Sequence, residues 1–194
     1  MTSMQEKLLK FAERVRSIPP KVWEDISIKR DNDIREVAEL LCGALWHLDY
    51  ALALGELDST PVKERAKHPS FWQEWLETGK ARCKPASLVQ DMLISDACLR
   101  LAGALDRPQI KNQFLNPEDI AKKYLEGCAD AFDQAMIRLI IHRDSFMHIE
   151  IPSKTKKWRC KAREQEMLAE TYNIAQLFDD CLVVGCTLAE KLSR

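Results

Sequence analysis

The segment Ile141-His142-Arg143-Asp144-Ser145-Phe146-Met147-His148-Ile149-Glu150 places a guanidinium, a carboxylate and an imidazole within six positions, Arg143 to His148. An arginine fork binds phosphoryl oxygens in pairs and stabilises charge that develops on them. A histidine carries a proton near neutral pH. The next stretch, Lys154-Thr155-Lys156-Lys157-Trp158-Arg159-Cys160-Lys161-Ala162-Arg163, holds six basic residues in ten positions and no acid. Lys154, Lys156, Lys157 and Arg159 suit a nucleic-acid backbone, and Trp158 between them suits a stacked base. Together these residue types point to phosphodiester chemistry.

Other chemistries lack their residues. The four histidines, His47, His68, His142 and His148, form no HExxH and no Glu-x-x-His pair, so no metal site is expected. There is no Gly-rich phosphate loop and no GxSxG elbow. The seven cysteines include no CxxC pair, and most read as small hydrophobes packed in helices. His47, next to Trp46, reads as a core or boundary histidine, and His142 as a packing or solvated residue on another helical face.

Charge alone argues against a nucleic-acid coat: 29 Lys+Arg stand against 30 Asp+Glu, a net charge of −1. The Lys154–Arg163 run shows that this average conceals a local basic site. No apolar run approaches the ~18 residues that span a bilayer, and Met1–Lys10 does not read as a signal peptide. The expected setting is a reducing cytoplasm, with no membrane partner.

The elements that must position these residues are helical. No stretch alternates with the period of a strand. Four long helices are expected. The first runs from Asp31/Asn32 to near Gly55. The second starts at Pro85, a natural first-turn proline, and ends near Leu105 before Asp106-Arg107-Pro108. The third is expected from Asn116 and Pro117 to about His148, bending near Gly127. The fourth is expected from about Lys161 to Leu192, its basic first turn opposing the helix dipole and so favouring an anionic partner. Shorter helices are expected at Ser3–Ser17, which opens with the capping-box pattern Ser3-x-x-Glu6, and at Lys21–Ile26.

The expected fold class is therefore all-α: an antiparallel four-helix bundle with extra N-terminal helices and a helical insertion. Residues 1–194 form a single domain in this reading. Residues 1–30 are an N-terminal appendage and 31–194 the bundle. Segment 59–84 is an insertion carrying Trp72 and Trp75 three apart on one helical face.

Arg143-Asp144-x-x-x-His148 resembles the R-x(4–6)-H motif of the HEPN superfamily, with the usual polar residue directly after the arginine. The placement is similar too, late in a helical bundle and ahead of the last long helix. The chain departs from one branch of that family in having Glu150 where a Tyr often follows the His by two positions. The resemblance implies a metal-independent endoribonuclease or RNA-binding protein without a cofactor, of the kind found in toxin–antitoxin or phage-defence systems. It implies His148 as general base or acid, Arg143 as stabiliser of the transition state, and Asp144 as the residue that orients them. The product would be a 2′,3′-cyclic phosphate. Arg143 and His148 would point ~140° apart on a regular helix, so one site needs either a helix end or bend between them or two copies of the motif meeting across a two-fold axis. The resemblance implies the second, a homodimer. A protein antitoxin is the further implied partner. The alternative reading is a non-catalytic protein-interaction module that uses the Trp-containing 59–84 segment.

Overall fold

The computed structural model describes residues 3–24, 31–59, 85–107, 110, 130–147 and 173–194. Every regular element among them is an α-helix, as the all-α expectation requires. The elements are α1 (Ser3–Arg16), α2 (Pro20–Glu24), α3 (Asp31–Ala53), α4 (Pro85–Leu105), α5 (Ala131–Met147) and α6 (Ile174–Leu192). No described helix is long and apolar enough to cross a membrane.

Helix α3 presents Val37, Ala38, Leu41, Ala44, Leu48 and Ala51 on one buried stripe, the helical spacing read from the sequence. It ends at Ala53, two residues before Gly55, whose φ of +127° a side chain would strain. Helix α4 returns antiparallel along it. Gln90, nearly fully buried on α4, donates from Nε2 to the carbonyls of Ala51 at 3.0 Å and Gly55 at 3.1 Å. These carbonyls close α3 and would otherwise lose water without a partner, so this one amide fixes the register of the pair.

Helix α6 is the hub, packing against α1, α3, α4 and α5. Its apolar residues Leu177, Phe178, Cys181, Leu182, Val184 and Leu188 are all buried. The N-terminal helix shares that core. Leu8, Phe11, Val15 and Ile18 belong to the same buried cluster as the four long helices. Helix α1 runs parallel to α6, with Lys7 on Asp179 at one end and Ser17 on Ser193, 2.8 Å apart, at the other. Burying a side chain the size of Phe11 is worth ~1.5–3 kcal/mol, so α1 is a substantial part of the core.

Two expected long helices are shorter in the structure. Helix α5 begins at Ala131. Asp130 caps it, its Oδ1 accepting from the backbone N–H of Phe132 at 2.7 Å and of Asp133 at 3.2 Å. Helix α6 begins at Ile174 behind Asn173, which is extended (φ −142°, ψ 169°) and accepts from Gln176 N–H at 2.8 Å. Each cap satisfies first-turn N–H groups that a continuous helix would have used internally. The expected starts at Asn116 and Lys161 lie outside the described residues.

Candidate functional site

Arg143 stands one turn before the end of α5. Its guanidinium Nη1 is ion-paired with Oδ2 of Asp106, in the turn that follows α4. The arginine side chain is about a quarter exposed and Asp106 about half exposed. Asp144 follows within the same helix. His148 lies outside the described residues, as do Lys154, Lys156, Lys157, Trp158 and Arg159 of the basic stretch, and Trp72 and Trp75 of the 59–84 segment. The described structure thus brings Arg143 to a carboxylate on a neighbouring element, which fixes one edge of its fork.

The rest of α5 is bound into the core by polar contacts. Arg138 reaches Asp180 on α6 through Nε and Nη2, each 2.7 Å from a different carboxylate oxygen. Gln176 adds a third donor to Asp180 at 3.1 Å. Burial pushes the Asp180 carboxyl up from its ordinary value, against the downward pull of Arg138 and Gln176. One turn from Arg138, His142 Nε2 lies 3.3 Å from Ser95 Oγ on α4. Burial holds this imidazole below its usual value, so it is disposed to stay neutral. Cys98 on α4 donates weakly to the Leu139 carbonyl at 3.5 Å. The segment carrying Arg143 is therefore anchored to both α4 and α6.

A second cluster lies where α3 and α4 face each other. Asp96 Oδ2 is 2.6 Å from Nδ1 of His47 and 2.6 Å from Nε of Arg100. The His47 approach lies off a hydrogen-bond axis, so it is a close polar approach rather than an aligned hydrogen bond. Beside it, Trp46 and Tyr50 lean together with ring centroids 4.7 Å apart, and Trp46 stands 5.3 Å from the His47 ring. The sequence reading of His47 as a boundary residue fits its mostly buried side chain, but that reading found none of its neighbours. The available signal was Asp96-x-x-x-Arg100 on α4, an i,i+4 pair, together with Trp46 and Tyr50 as an i,i+4 pair opposite the buried stripe of α3.

Four cysteines are described, and all are free thiols. Cys98 and Cys181 are fully buried, and burial pushes the Cys186 thiol up to about 11. These are packing residues, as expected from their apolar settings. Among the described residues no group of His, Cys, Asp and Glu side chains is arranged to hold a metal ion. No protein-family model, no curated protein sequence and no solved structure significantly matches the chain.

Proposed function

We propose that this chain is a HEPN-like RNA-cleaving or RNA-binding protein that acts through Arg143, Asp144 and His148. The observation that supports the reading is the seat of Arg143. It sits late in a helix, in an all-α fold, with its fork oriented by a carboxylate from another element. A guanidinium held this way needs little reorganisation when a phosphoryl group takes the place of Asp106. His148, five residues on, serves as base towards a ribose 2′-hydroxyl or as acid towards the leaving oxygen. The Lys154–Arg159 stretch holds the phosphate backbone, and Trp158 stacks a base.

In this reading two chains pair across a two-fold axis and each supplies one copy of the motif. A protein antitoxin that covers the basic stretch would silence the pair. The test is a cleavage assay on single-stranded RNA with chelator present, with the 3′ ends of the products identified. Cyclic-phosphate ends that vanish with His148→Ala support the reading. A parent protein that neither cuts nor binds RNA, or His148→Ala and Arg143→Ala variants that behave as the parent, refute it.

A further inference from the structure

We propose that Trp46, His47, Asp96 and Arg100 form a second site, on the face shared by α3 and α4, that binds a nucleoside phosphate. The antiparallel register brings 47 opposite 96 and 43 opposite 100. Asp96 is the pivot: one of its oxygens binds the guanidinium at 2.6 Å and lies 2.6 Å from the imidazole. It takes only the Nε edge of Arg100. Among the described residues no acceptor meets the two Nη nitrogens, which leaves them for phosphoryl oxygens.

Gly43 makes the seat for this fork. A Cβ there would lie 2.8 Å from Nη1 and 3.2 Å from Cζ of Arg100. The guanidinium therefore lies against the α3 backbone, on ground that any other residue would fill. The fork is ordered on two sides, yet the side chain is 38% exposed.

The aromatic half of the site adjoins the charged half. Trp46 is 57% exposed and Tyr50 52% exposed, high values for rings that gain so much from burial. An exposed ion pair such as Asp96–Arg100 contributes little to stability, and it gives no reason for two bare rings beside it. A nucleobase supplies the missing plane for Trp46. Its phosphate then falls to the His47 and Arg100 end of the same contact chain. Both nucleotides and RNA carry this chemistry. The site uses no residue of the Arg143 segment, so its failure and the failure of the cleavage reading are separate results.

The test is isothermal calorimetry of the full chain with adenosine monophosphate. A parallel anisotropy titration uses a labelled single-stranded hexaribonucleotide. Saturable binding of the monophosphate is expected. Trp46→Ala and Arg100→Gln should each weaken it about ten-fold, while Trp46→Phe stays within a few-fold of the parent. Arg35→Ala, an exposed arginine elsewhere on α3 paired with Glu39, should change nothing. Hexanucleotide binding that is tighter and lost with the same substitutions identifies RNA as the source; weaker binding identifies the free nucleotide. Absence of saturable binding overturns the proposal. So does parent-like binding by Trp46→Ala and Arg100→Gln with helical circular dichroism intact.

Discussion

Arg138 and Asp180 meet through two hydrogen bonds of 2.7 Å, one to each carboxylate oxygen, and Asp180 is almost wholly buried. The pair joins α5 to α6 at the level of the core. Its value lies in being complete. Removing one partner leaves an uncompensated buried charge, at a cost of ~3–5 kcal/mol, whereas replacing both can be nearly neutral. Arg138→Met should therefore destabilise the protein by about 3 kcal/mol, read from the midpoint of urea unfolding. Arg138→Met with Asp180→Leu should recover much of that loss. Equal stability of the parent and the single variant would show that the pair does not hold α5 in place.

Phe11 of α1 lies directly on Gly185 of α6. A Cβ at 185 would meet Cζ of the ring at 2.5 Å and Cε1 at 2.7 Å. The ring is fully buried and cannot swing away. Gly185→Ala should cost ~1–3 kcal/mol through overpacking, although alanine is the better helix former by up to ~1 kcal/mol. Phe11→Ala should cost ~3–5 kcal/mol by opening a cavity. The check is thermal unfolding by circular dichroism. A Gly185→Ala variant more stable than the parent would mean that helix propensity outweighs the contact.

His142 couples stability to pH. Burial lowers its folded value below the 6.5 of the free side chain. Between those two values the unfolded chain binds a proton that the folded chain does not. Stability from this group is therefore complete above about pH 6.5 and is lost as the pH falls through the folded value. Urea unfolding at pH 7.5 and at pH 5.5 should show a loss in the parent, and His142→Asn should show a smaller one. An identical pH dependence in the two proteins would remove His142 as a source.

Three of the four described thiols, Cys98, Cys181 and Cys186, should resist alkylation. At pH 8 a thiol with a value of about 11 is ionised to only about one part in a thousand, so Cys186 reacts slowly although it is partly exposed. Cys98 and Cys181 are sealed in the core. Iodoacetamide labelling followed by peptide mass mapping should find all three modified far faster in urea than in buffer. Rapid labelling of Cys98 in buffer would contradict the packing.

Local signals were legible where they were strong. Pro85 opens α4 and Leu105 closes it, as the proline and the Asp106-Arg107-Pro108 break indicate. Asp31 opens α3, and the positive-φ Gly55 lies just past its end. The helix starts behind Asp130 and Asn173 are not legible in the sequence, because apolar residues recur at helical spacing on either side of them. One short polar side chain that captures first-turn N–H groups decides such a boundary, and periodicity does not register it. The Arg143-Asp144 pair was legible as a motif. Its partner Asp106 was not, because that contact joins elements 37 residues apart. The same holds for His47 and Asp96, and for Gly43 beneath Arg100. Sequence spacing finds neighbours one helical turn away, while these depend on how α3, α4 and α5 pack.

The Arg143–Asp106 pair also bears on RNA. In the proposed reading Asp106 orients the fork but competes with phosphate for it. Asp106→Asn should tighten RNA binding about two- to ten-fold at fixed salt, and it should slow cleavage if the fork loses its orientation. Filter binding at one ionic strength checks the first effect.

The most direct measurement is metal-free cleavage of single-stranded RNA by the parent, Arg143→Ala and His148→Ala proteins, each shown to be folded by circular dichroism. The account expects the parent to leave 2′,3′-cyclic phosphate ends and both variants to lose at least a hundred-fold in rate. A parent that neither cuts nor binds RNA, or a His148→Ala protein that cuts at the parent's rate, would contradict it.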